Sequence, residues 1–147
     1  MKKFYFVLFF LTGFFVKSAY AIDSGDIVLH ASGGWNQDLE VFQGRAEAAY
    51  SFWNDFSIGP VFEFNKFFYA PALGIKWHLE PFELLAHTGP LFWRKLDEKK
   101  TSIQVSIHAN YLIQLTTHFQ LFVTAGVNLP ERYFRGVPLG AGLRYWF

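Results

Sequence analysis

The stretch that decides the fold is Thr101 to Leu115, TSIQVSIHANYLIQL. Its odd positions hold Ile103, Val105, Ile107, Ala109, Tyr111, Ile113 and Leu115; its even positions hold Ser102, Gln104, Ser106, His108, Asn110, Leu112 and Gln114. Side chains alternate across a β-strand with period two, so this segment reads as a strand with one apolar and one polar face. The same alternation predicts strands at Asp26 to Trp35, Phe42 to Phe52, Phe56 to Asn65, Phe68 to Leu79, Phe82 to Arg94, Phe119 to Leu129 and Val137 to Phe147. With the first, that makes eight.

The connections alternate in character. Trp53-Asn54-Asp55, Glu80-Pro81 and Thr116-Thr117-His118 are tight, while Asn36 to Val41, Lys95 to Lys100 and Pro130 to Gly136 are longer and more polar. Only Lys66-Phe67 is short on the long side. Eight antiparallel strands with tight turns at one end and longer loops at the other describe an all-β, up-and-down barrel in one domain, its termini at the tight-turn end.

Which face is inside separates two classes of barrel. A soluble ligand-binding barrel turns its apolar face inward around a calyx, and a membrane barrel does the reverse. The apolar face here carries the bulky Phe42, Tyr50, Phe62, Phe64, Trp77, Phe92 and Tyr145. The polar face intersperses its polar groups with Gly34, Ala49, Gly59, Ala72, Gly74, Gly89, Gly126, Gly140 and Gly142. Eight strands leave room inside only for side chains that fill the bore, so small residues belong on the inner wall and large ones on the lipid side. The polar face is therefore read as the lumen. The aromatic share of 21% fits, since nineteen Phe, seven Tyr and five Trp exceed what so small a core can hide. Trp35, Phe64, Tyr69 and Phe92 fall toward the loop end and Phe52, Phe56, Trp77, Phe82, Phe119, Tyr145 and Phe147 toward the turn end, as two girdles would.

Ahead of the strands, Lys2 and Lys3 precede the apolar run Phe4 to Val16, and Ser18-Ala19-Tyr20-Ala21 follows with small residues. That is the pattern of a signal peptide cleaved after Ala21, leaving Ile22 to Phe147 as the barrel; the 13-residue run is short for a spanning helix. Taking Lys2, Lys3 and Lys17 from 13 cations leaves 10 against 12 acidic groups, a formal charge of −2 with no basic stripe, which excludes nucleic-acid binding. The absence of Cys excludes disulfide frameworks and thiol catalysis.

At the far end Leu139, Ala141, Leu143, Tyr145 and Phe147 alternate with Gly140, Gly142, Arg144 and Trp146. With this ending, the processed chain resembles the small eight-stranded outer-membrane proteins of Gram-negative bacteria, of the OmpA-barrel and OmpX type. The resemblance implies a transmembrane β-barrel in the outer membrane, with Tyr145 and Phe147 in the strand that the barrel-assembly machinery recognises. It implies little about activity, because that fold carries adhesion, structural, enzymatic and pore roles. Pro60, Pro71, Pro90 and Pro138 depart from the pattern, since each deletes a ladder donor, and local bulges are expected there.

On the lumen face lie Arg45, Glu47, Glu63, Lys76 and Arg144, with Glu83 near the periplasmic rim. Pairing Phe52 with Phe56 across the first turn sets Arg45 opposite Glu63; the other in-phase register opposes Glu47 to Glu63 and is less stable. Buried charges need partners, so the five are expected to form one network that plugs the bore. His30, His78, His87 and His108 share this face, and pairing Arg94 with Thr101 sets His87 opposite His108. Two imidazoles are fewer ligands than structural zinc uses, so contacts with Gln104, Asn110 or water are expected, and no metal or cofactor.

The deacylase motif His-x-Ser-Asn is missing: His87-Thr88-Gly89 and His108-Ala109-Asn110 lack the serine, and outward-facing Thr88 has no outward His, Asp or Glu near it. At the loops, Arg94, Lys95, Lys99, Lys100, Arg132 and Arg135 are placed to meet lipopolysaccharide phosphates. The sequence thus predicts a monomeric, non-enzymatic outer-membrane barrel with a largely plugged lumen, in a structural or surface-interaction role. A narrow pore and a lipid-modifying enzyme are the alternatives.

Overall fold

The computed structural model describes residues 22–36, 40–94, 101–129 and 138–147. The leader at residues 1–21 and the loop cations Lys95, Lys99, Lys100, Arg132 and Arg135 lie outside the described residues. The eight strands are β1 (Ile27–Asn36), β2 (Val41–Trp53), β3 (Phe56–Asn65), β4 (Phe68–Leu79), β5 (Phe82–Trp93), β6 (Thr101–Gln114), β7 (Phe119–Leu129) and β8 (Pro138–Trp146). Three have the bounds that alternation predicts, and the others differ by single residues at their ends. Each strand pairs antiparallel with the next, and β8 pairs with β1 to close the barrel. At that seam Ile27 N–H donates to Phe147 O at 3.0 Å, and Phe147 N–H donates back to Ile27 O at 3.2 Å. Among the described residues no helix is long and apolar enough to cross a membrane.

Burial sorts the faces by parity. In β6, Ile103, Val105 and Ile107 are exposed while Gln104, Ser106, His108 and Asn110 are buried. Outward-facing rings stack across strands at both ends: Tyr69 on Phe92 at 5.1 Å near the loops, and Phe56 on Trp77 at 6.0 Å near the turns. The inner wall is not wholly polar. Phe68, Ala70 and Leu91 pack with Trp93 toward the loop end, and Val28 and Trp146 pack with Ile22 toward the turn end. Apolar clusters thus sit above and below a charged middle.

The prolines do not bulge the sheet. Register is unbroken along the β3–β4 and β5–β6 ladders through Pro60, Pro71 and Pro90. What changes is pairing on the other side: the β4–β5 ladder runs Tyr69↔Phe92, opens, and resumes at Leu73↔Thr88 in the same register. That register sets Pro71 opposite Pro90, so the one pair that exchanges no donor is where the ladder opens. A residue's N–H reaches only one neighbouring strand, which is why a proline costs one ladder and leaves the other intact. The shift in register occurs elsewhere, between Ser51 and Trp53, so Phe56 pairs with Trp53 and not with Phe52. The turn thus takes up an extra residue without moving the pairs above it.

Candidate functional site

The lumen collects nearly every buried charge of the described chain, and the strands place these groups in two layers. The layer nearer the turn end is built around Glu83 and Glu47. Glu83 is fully buried and receives His78 Nδ1 at 3.0 Å, Arg144 Nη1 at 3.6 Å, His30 Nδ1 at 3.7 Å and Lys76 Nζ at 3.8 Å, while Asn110 Nδ2 donates to it at 2.8 Å. Glu47 contacts Lys76 Nζ directly and takes Arg45 Nε at 2.6 Å. Arg144 also donates to Gln120 Oε1 at 3.0 Å, and its guanidinium lies 5.4 Å from the Trp146 ring centroid. Three cations face carboxylates here, each desolvated, so each charge depends on the others to stay inside.

The second layer lies toward the loops. Glu63 of β3 meets His87 of β5 and His108 of β6, both through Nε2 at 3.3 Å from Oε1. The two imidazoles lie almost parallel, 5.3 Å apart. Gln104 Nε2 donates to the other carboxylate oxygen at 2.5 Å and to Ser106 Oγ at 2.8 Å. A cavity of about 20 Å³ beside this layer is lined by Gln43, Arg45, Glu63, His108 and Thr124 among others.

Several sequence expectations need correction. Arg45 does lie opposite Glu63 in the β2–β3 register, but its guanidinium turns along its own strand to Glu47. His87 faces Ser106, and His108 faces Leu85, because Thr101 pairs with Phe92 and not with Arg94. The pairing slips by an even step, so both imidazoles keep their face and meet as diagonal neighbours. Glu83 is no rim residue: it holds the lower layer together. Its parity marks it as inward, but strand tilt in a closed barrel carries the start of one strand to the depth of another's middle. Gln104 and Asn110, expected beside the histidines, donate to Glu63 and Glu83 instead; the inward Phe122, 5.4 Å from His30, and Gln120, which accepts from Arg144, are lumen groups that pattern reading did not single out.

On the outer wall Thr88 Oγ1 donates to Gln104 O at 2.9 Å, so that hydroxyl is engaged. Arg94 is exposed, its guanidinium 5.6 Å from the Tyr69 ring centroid. Tyr145 and Phe147 are exposed on β8 and just beyond it, ring centroids 5.9 Å apart.

No protein-family model matches the sequence, and no curated relative is found by sequence. Solved structures are similar in fold. The N-terminal β-barrel domain of Pseudomonas aeruginosa OprF aligns at TM-score 0.65 and 12% identity, over 86% of this chain and 100% of that one. Neisserial surface protein A aligns at 0.59 and 16%, over 85% and 98%. The Yersinia pestis outer membrane protein Ail aligns at 0.55 and 13%, over 84% and 99%. At these identities the likeness is one of fold: a closed, eight-stranded antiparallel transmembrane barrel, like those of small outer-membrane proteins.

Proposed function

We propose that this chain is a monomeric, non-enzymatic barrel of the Gram-negative outer membrane, with a lumen plugged against ion flow and a structural or surface-interaction role in the envelope. It would be exported by a leader removed after Ala21 and inserted by the barrel-assembly machinery. Its loop cations, Arg94 with Lys95, Lys99, Lys100, Arg132 and Arg135, would meet lipopolysaccharide phosphates.

The observation that best supports this reading is the filling of the lumen. Arg45, Lys76 and Arg144 are matched by Glu47, Glu63 and Glu83, all buried, and the cavity beside them is sized for about one water. The engaged Thr88 hydroxyl supports a non-enzymatic wall.

Planar-bilayer conductance of the folded protein, beside a Glu83→Ala variant, tests the plug. Silence from the native barrel is expected, whereas discrete native steps altered in the variant would make it a narrow pore. Lipid A mass spectra with and without expression test the rest; an altered acyl pattern would make it a lipid-modifying enzyme.

A further inference from the structure

Among the described residues, Glu63 is the buried lumen carboxylate whose ion-pair partners are imidazoles, those of His87 and His108, and not fixed cations. We propose that these three side chains bind a single divalent transition-metal ion of the zinc class, bracing β3 against β5 and β6 across the lumen. The inference goes beyond the structural role proposed above, which stands or falls separately.

Geometry carries it first. One ligand atom from each residue lies within 4.8 Å of the other two, and all three residues are buried. Both Nε2 atoms stand 3.3 Å from the same Oε1. Ligands at zinc bond lengths of about 2.0–2.1 Å on a tetrahedron are separated by about 3.3–3.4 Å, so two of the three edges already have the length that an ion would set.

Satisfaction carries it second. Oε1 of Glu63 and Nε2 of both histidines are shut away from solvent, and none makes a hydrogen bond of acceptable geometry. Both imidazoles stand at ion-pair distance from Oε1 without hydrogen-bond geometry, an arrangement that a further partner between the three atoms would complete. The other carboxylate oxygen is already held by Gln104, the kind of outer support that orients a metal-bound carboxylate. The adjoining cavity of about 20 Å³ has room for a water as fourth ligand. Arg45 lines that cavity, but its Nε is 2.6 Å from Glu47, so its charge is engaged there. Two imidazoles and one carboxylate favour zinc, cobalt or iron over magnesium or calcium, which prefer all-oxygen sites.

The test uses the protein extracted from outer membranes in detergent, without a histidine tag, titrated with Co²⁺ and then Zn²⁺. The expected result is one saturable Co²⁺ with visible absorption bands, displaced by Zn²⁺. Affinity should fall at least about 10-fold in His108→Gln and in Gln104→Leu, and stay unchanged in His118→Asn, which alters an exposed turn histidine. No saturable binding by the folded protein would overturn the proposal, as would binding that survives His87→Gln with His108→Gln or vanishes with His118→Asn. Should the lumen variants fail to fold, paramagnetic broadening in the native protein decides. Loss of amide signals at Ser106 and Gly126 supports the site, and loss centred on His118 overturns it.

Discussion

Neutralising Glu83 leaves Arg45, Lys76 and Arg144 with one carboxylate, Glu47, in the lower layer where two stood. Breaking a buried ion cluster from one side costs about 3–5 kcal/mol, because the stranded charges remain desolvated. Glu83→Gln is therefore expected to lose that much stability in urea unfolding from lipid vesicles. Glu63→Gln should cost only about 1–3 kcal/mol, since its partners are imidazoles and an amide. An equal or reversed ranking would sink the two-layer description. Glycines give a second test at this scale. A Cβ at Gly34 would strike the Leu139 carbonyl oxygen across the seam, whereas Gly25, with open space around it, is held as glycine by its φ of 106°. Gly34→Ala should cost about 1–3 kcal/mol by overpacking, measured the same way. Parity told which residues face inward, including Arg45, Glu63 and Glu83. It was silent on where a long side chain turns once inside, which is why Arg45 was paired across the sheet while it reaches along its own strand.

At the scale of elements, alternation located all eight strands because each has lipid on one side and packed side chains on the other, so every slip is penalised. Registers were less legible, since in-phase slips of two residues keep every side chain on its face; β5–β6 shows this, and the turn at Ser51 to Trp53 shows the complement. The Pro71 and Pro90 pair supplies the element-scale prediction. In a Pro71→Ala, Pro90→Ala double variant, the new amides at 71 and 90 should exchange with solvent as slowly as their neighbours, because the register on both sides of the gap already brings them together. Fast exchange there would mean that something other than missing donors holds the ladder open.

For the whole molecule, the outward apolar wall and inward charges make a statement about surroundings. Trp35 and Trp77 are 52% and 43% exposed at opposite ends of the wall. In lipid vesicles their emission is expected to be quenched more by bromines near the lipid carbonyls than by bromines at chain ends, and little by iodide in the water. Dominant iodide quenching of both would place the wall in solvent. The layered charges, apolar at either end, were legible only in part: periodicity reports two faces, and the depth at which a side chain lies depends on tilt and closure, which no single strand contains.

The seam between β1 and β8 also dictates an order of events. Ile27 and Phe147 lie roughly 120 residues apart along the chain, and contacts between such distant segments form slowly because the intervening loop must first be gathered. Seven hairpins can zip locally; the eighth ladder waits for all of them. Until it forms, β1 offers an unprotected edge to any strand that passes, including one from another copy. Deleting β8 should thus yield aggregates and not a smaller barrel, and whatever escorts the nascent chain must shield its beginning until its last strand arrives.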